Sequence, residues 1–296
     1  MRVSELSRLY HQQRYLDTIS QRMDRVQQEL ATGRRVARAS DDPAGAVLAL
    51  EHRSDIAFEA QMRRNMDNGL AFLNVTESAL DSATEILQRV RELTVQAGSD
   101  TQSSTERQAV SSEVNQLIEH LAQIGNSQFA GAYIFSGQLT KTPAYQVTGS
   151  PLPTAITFMG DTGSRVTRIS QQDTVATNVA GSVALGSIFD DLIALRDDLN
   201  GSAPASAISS HLGAIDDGLD RLLAVRADVG SRVNRFEATQ RTSEQADMNL
   251  QELRAGIEEV DIANAVTRLT AEQASFQAAL GAIGRTSNMT LMDYMR

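Results

Sequence analysis

Chemistry in this sequence would have to come from a few scattered stretches. Asp161-Thr162-Gly163-Ser164 carries the tripeptide core of an aspartic-protease loop. That chemistry needs two such loops, so that paired aspartates share one proton. The sequence holds one copy, between strand-like runs where a glycine-rich turn is expected anyway. The four histidines, His11, His52, His120 and His211, stand far apart, and none sits in HExxH or another ligand spacing. The acidic pairs Asp190-Asp191, Asp197-Asp198 and Asp216-Asp217 fall on polar faces of helical pattern and read as solvated. No GxSxG, Walker or GxGxxG motif occurs. The expectation is a protein that is not an enzyme, with no catalytic residue, cofactor or metal site.

Composition narrows the class further. The 296 residues include no Cys and no Trp, with an aromatic fraction of 4%. No disulfide framework or Cys-ligated metal is possible. So few aromatics favour thin helical packing by Leu, Val, Ile and Ala over a thick globular core. A net charge of −10 disfavours non-specific nucleic-acid binding. Lys141 is the single lysine, against arginines elsewhere. The first 20 residues are amphipathic and polar, and no window has the 18 to 20 apolar residues of a membrane span. The protein is expected in the cytosol, or to leave by a route without a cleaved Sec-type signal.

Prolines mark the organisation. Pro43, Pro143, Pro151, Pro153 and Pro204 leave two uninterrupted arms, 44–142 and 205–296, both with helical periodicity. In the first, Leu73, Leu80 and Leu87 recur at sevens, with Ile86, Val90, Leu93 and Ala97 on the same face. At the other end Ile262, Val266, Leu269, Gln273, Phe276, Leu280 and Ile283 keep 4-3 spacing, and Leu9, Leu16, Ile19, Met23, Val26 and Leu30 form a matching narrow stripe. Neither stripe can be buried by its own helix. The two are expected to pair as an antiparallel coiled coil within the chain, and also with copies in neighbouring subunits. An isolated hairpin with arms of about 30 residues is marginal, so these helices should order on assembly. Between the arms, from about Gly137 to Gly186, Thr and Val alternate with polar residues in short runs separated by turns. The fold class is therefore mainly α with a small β insert: a long antiparallel helical rod of coiled-coil-like terminal helices plus a bundle. A cytosolic coiled-coil signalling or scaffold module fits part of this pattern, but the β insert disfavours it.

Four blocks carry a family resemblance. QELATGRRVARASDDPAGAVLA (28–49), NGLAFLNVTESALDSATEILQRVRELTVQAG (68–98), DVGSRVNRF (228–236) and RAGIEEVDIANAVTRLTAEQASFQAALGAIGRTSNMTLMDYM (254–295) resemble, in order, segments of bacterial flagellins and their hook-associated relatives. Within that superfamily, FAGAYIFSG (129–137) and the TLMDYM ending are similar to hook-associated protein 3, the hook–filament junction branch, more than to flagellin. Met295 replaces a more usual Leu.

The resemblance implies a structural axial subunit of the flagellum at the hook–filament junction, a platform for flagellin growth, exported unfolded through the flagellar type III apparatus to the extracellular flagellum. The alternative it leaves is a flagellin filament subunit. Implied partners are further copies in a ring or helical turn, a hook-side hook-associated protein, flagellin, and an export chaperone at the C-terminal segment. The implied domains are 1–43 with 256–296 as an inner tube, 44–136 with 187–255 as a helical rod domain, and 137–186 as a β-rich outer domain. Residues 31–45 would be the spoke between tube and rod. There Gly33 lets the first helix end, Ser40 or Asp41 caps the next, and Pro43 suits its first turn. Arg34, Arg35, Arg38, Asp41 and Asp42 either pair with adjacent subunits or decorate a solvent-exposed capped turn. ILQRVRELTVQ (86–96) is similar to a flagellin stretch at subunit contacts that an innate immune receptor reads, which carries over to Arg89 and Leu93.

Overall fold

The chain is mainly helical with a small β insert, in a computed structural model that describes residues 2–99, 103–201 and 203–294. The side chain of Leu9 and those from residue 286 onward, including the TLMDYM ending, lie outside the described residues. Helices α1 (Arg2–Thr32), α2 (Pro43–Ala97) and α3 (Ser104–Gly125) come first. Three antiparallel hairpins follow, made of β1 (Gln128–Phe129) with β2 (Ala132–Tyr133), β3 (Tyr145–Thr148) with β4 (Ala155–Phe158), and β5 (Val166–Arg168) with β6 (Thr174–Ala176). A short turn α4 (Gly181–Ala184) leads to α5 (Ile188–Asn200), α6 (Ala205–Glu258) and α7 (Ile262–Tyr294). Strand structure thus begins before Gly137, because two-residue strands are too short to show alternation. The β1–β2 turn instead uses Ala130 and Gly131, both at positive φ (50° and 75°), the geometry of a tight hairpin turn.

Two compact units divide the chain: Met1–Glu59 with Gln245–Arg296, and Ala60–Glu244. In the second unit, Met66, Leu73, Leu80 and Leu87 of α2 recur every seven residues with no exposed surface. α6 answers with Ile208, Ile215, Leu222, Val229 and Phe236, also at sevens and buried. The helices run antiparallel and close, since a methyl at Gly69 would lie 2.7 Å from the Phe236 ring and one at Gly98 2.6 Å from the Ser209 hydroxyl. Arg226 bridges α6 to Glu77 at 2.9 Å and Asp81 at 2.8 Å on α2. α3 starts in a capping box: the Glu106 N–H donates to Ser103 Oγ, and Glu106 Oε2 accepts from the Ser103 N–H at 2.7 Å. These hydrogen bonds, first that from the Ser103 backbone, hold the Glu106 carboxyl below its ordinary range.

The β insert is fastened to the helices by buried groups. Tyr145 packs against Phe158 and Phe189, with ring centroids 5.5 and 4.9 Å away. Burial raises its phenol well above the usual tyrosine range. The buried Arg196 of α5 donates to the Pro153 carbonyl at 2.6 Å, to Asn115 Oδ1 of α3 at 3.2 Å and to Asp197 Oδ1 at 2.6 Å. One guanidinium thus ties the β3–β4 loop to two helices.

Candidate assembly site

The spoke is built by three local devices. Thr32 Oγ1 donates to the Gln28 carbonyl at 2.7 Å, and Gly33 adopts φ +68°, the left-handed conformation that ends α1. The chain then runs beside the break between α6 and α7. The Arg35 N–H donates to the Glu258 carbonyl at 2.7 Å, the Val260 N–H donates to the Gly33 carbonyl at 3.0 Å, and Arg34 faces Glu259 in an antiparallel bridge. Val36 is buried beneath this strip. Finally, Asp42 caps α2: its Oδ1 accepts from the Gly45 N–H at 2.9 Å and its carbonyl from the Ala46 N–H at 2.8 Å.

The cap is therefore Asp42, correcting the expectation of Ser40 or Asp41. Pro43 is the first helical residue, which fixes the cap directly before it. Asp41 instead closes a reciprocal turn with Arg38, its Oδ2 accepting from the Arg38 N–H at 2.9 Å. Gly45 completes the cap by omission, because a methyl there would lie 2.5 Å from Asp42 Oδ2. No periodic pattern flags that glycine.

The five charged spoke residues divide into two groups. Arg35 reaches Asp42 Oδ2 at 3.5 Å and donates to the Ile257 carbonyl at 2.8 Å. The guanidinium groups of Arg34 and Arg38 have no partner among the described residues. Two ion pairs that periodicity could not reveal brace the same region. Arg53 meets the buried Glu258 at 2.6 Å, and Arg268 meets the buried Glu29 at 2.9 Å.

α1 packs on α7, and the two stripes fare differently. On α1, Ile19 and Val26 are buried and Leu16, Met23 and Leu30 half-buried, the face read from the sequence. On α7 the inner column is Ala265, Leu269, Glu272, Phe276, Ala279 and Ile283. Ile262, Val266 and Leu280 lie 65, 45 and 47% exposed. The sequence-read series thus splits: Leu269, Phe276 and Ile283 turn toward α1, and Ile262, Val266, Gln273 and Leu280 do not. Alanines let the helices approach on the smaller side, so the apolar face is wider than its contact with α1. Asp261 starts α7, its Oδ1 accepting from the Asn264 N–H at 3.1 Å. That backbone hydrogen bond, foremost, holds the Asp261 carboxyl below the ordinary aspartate range.

The lead-in to the β insert is equally specific. Ile134, Phe135 and Ser136 are fully enclosed, and Gly137 has φ +71° with Asp161 packed against its Cα. Asp161 Oδ1 accepts from the Gln138 N–H at 2.9 Å and the Gly163 N–H at 2.7 Å. The Asp-Thr-Gly-Ser motif is thus a turn that locks this lead-in. His211 pairs with Asp198 at 2.8 Å. Among the described residues no cluster of His, Cys, Asp or Glu could hold a metal, and no helix is long and apolar enough to cross a membrane.

The bacterial flagellin N-terminal helical region matches residues 3–140, and the C-terminal helical region matches 212–295. The chain belongs to the flagellin family. It is a structural component of the flagellum, in a family of structural, non-enzymatic subunits. The flagellin-family chain is 30% identical over 272 residues to flagellin FlaB1 of Treponema pallidum (strain Nichols), spanning 91% of each. It is 28% identical over 265 residues to a flagellin of Bacillus subtilis (strain 168), spanning 85% of each. In fold it resembles a putative flagellar hook-associated protein from Vibrio parahaemolyticus (TM-score 0.69, 22% identity, 74% of this chain and 100% of that one). It also resembles Bacillus cereus FlgL (TM-score 0.61, 20% identity, 69% and 99%).

The flagellin-like stretch 86–96 needs one correction. Leu93 is only 2% exposed and packs in the α2 core with Val90 and Leu87, so it is not a surface contact in this fold. Arg89 is exposed but engaged, with Glu113 at 2.8 Å and Glu92 at 3.2 Å. Its side-chain hydrogen bond to Glu113, foremost, raises the guanidinium above its usual range.

Proposed function

We propose that this flagellin-family chain is the subunit of the hook–filament junction. The observation that carries the reading is the Ile134–Gly137 segment, enclosed and locked by Asp161, between the first and second hairpins of a modest three-hairpin insert. In this reading 1–43 with 256–296 form the inner tube and 44–136 with 187–255 the outer wall. Residues 137–186 are the exposed surface. The exposed Ile262, Val266 and Leu280 then meet neighbouring copies, while Leu269, Phe276 and Ile283 keep α7 on α1. The subunit contacts a hook-side hook-associated protein below and flagellin above. It leaves the cell unfolded through the type III apparatus, and an export chaperone covers the apolar α7 stripe beforehand.

A second reading, a filament flagellin, is favoured by the names of relatives such as the 33 kDa flagellar filament core protein of Treponema phagedenis, 28% identical over 281 residues. Immunogold electron microscopy with antibody against residues 138–186 separates the two. A single band where hook meets filament is the expected result. Label along the whole filament would make this chain a flagellin, and label confined to the cell interior would remove the export reading.

A further inference from the structure

Beside the spoke lies a cavity of about 460 Å³, walled by α1, the spoke and Arg268 of α7. Its charges do not balance. Asp42 serves Arg35 and the α2 cap, and Glu29 serves Arg268, while Asp41 accepts only the backbone N–H of Arg38. What remains is Arg25, Arg34 and Arg38 against Asp24 and Asp41, an excess of one positive charge, and none of the three guanidinium groups has a partner among the described residues. Three guanidinium groups around one open hollow favour a carboxylate-bearing guest, because planar donors pair well with carboxylates.

The same unit exposes a surface of the opposite kind. On the first turns of α2, Val47, Leu48, Glu51 and Asp55 share one face and Leu50 flanks it. Val47 and Leu50 are 59 and 67% exposed. Glu51 and Asp55, one helical turn apart, have no side-chain partner among the described residues. Apolar side chains this exposed beside unpaired carboxylates mark a surface covered in the assembled state.

We propose that the α2 face of one copy docks on the arginine-lined spoke cavity of the next. Glu51 and Asp55 enter among Arg25, Arg34 and Arg38, and Val47 and Leu50 cover the rim. The two surfaces use different residues of one chain, so the contact is head-to-tail and propagates into a ring or helix instead of closing a dimer. The proposal rests on the assembly reading above but holds for junction and filament alike. It names the contact, not its place along the flagellum.

The chain has no cysteine, so an introduced thiol is the only one in each copy. Cells co-expressing an Arg38→Cys chain and an Asp55→Cys chain are treated, as intact flagella, with a short bismaleimide. The expected product is a covalent heterodimer, absent when either chain is expressed alone. A parallel series reverses the charges. Arg34→Glu with Arg38→Glu, or Glu51→Arg with Asp55→Arg, should each lower incorporation into flagella about tenfold, and all four together should restore it. Flagella that contain both cysteine chains but yield no heterodimer, with no rescue by the fourfold variant, overturn the contact and leave the assembly reading intact. A wild-type chain absent from flagella overturns both.

Discussion

Between Ala60 and Glu244 the seven-residue columns Met66–Leu73–Leu80–Leu87 and Ile208–Ile215–Leu222–Val229–Phe236 vanish from the surface, whereas the columns of α1 and α7 stay half in water. In the unit of Met1–Glu59 and Gln245–Arg296, the buried apolar side chains among the described residues are Ile19, Val26, Val36, Ala49 and Ala265. The periodicity is the same in both. What differs is the number of layers. α3, α5 and three hairpins supply the first region with further apolar surface, while α1 and α7 have little beyond each other. An equal heptad thus specifies a finished core in one place and an unfinished face in the other.

The largest effects should separate the two regions. Leu80→Ala removes a fully enclosed side chain and should cost about 3 kcal/mol, read as a lower denaturation midpoint of the monomer. Val266→Ser on α7 should change monomer stability by less than about 0.5 kcal/mol yet reduce incorporation into flagella. Equal losses from both substitutions would erase the distinction. Next comes Arg196→Met, which leaves the Pro153 carbonyl and Asn115 without their donor. A loss of about 2 kcal/mol is expected, with hydrogen exchange faster in the β3–β4 hairpin than in α2. Asp42→Ala should cost about 1 kcal/mol and fray the start of α2, visible in amide exchange at Gly45 and Ala46. The smallest effect concerns acid. The Asp261 carboxyl lies below its unfolded value, so its stabilisation is complete at neutral pH and falls away as pH drops below about 4. Asp261→Asn keeps an acceptor at the cap, and its helicity, followed by circular dichroism, should lose that acid-dependent component.

The sequence carried the helices, the glycine that ends α1 and the α1 face, because each rests on local spacing or on backbone freedom. It did not carry the rotation of α7. Ile262, Val266 and Leu280 are as apolar as Leu269, Phe276 and Ile283, and only the packing of Ala265 and Ala279 on α1 decides which column goes inside. The cap was legible in principle, since Pro43 at the first helical position leaves Asp42 as the residue before it. Leu93 was misread for a different reason: similarity to a surface stretch took precedence over its place on the buried Leu73–Leu80–Leu87 face. Glu29, Glu258 and Arg196 gave no signal, because a buried charge is recognised only through a partner distant in sequence.

The strip joining Gly33–Val36 to Glu258–Val260 has a consequence in time. Arg35 bonds to a residue 222 positions later, and Glu29 to one 239 positions later. Contacts of such sequence separation form late, after local helices are in place. The Gly33–Val36 strip therefore stays unpaired until the chain out to Val260 is present and in place. The fold thereby acts as its own proof of length, and a copy truncated before Glu258 lacks the strip with which its spoke pairs.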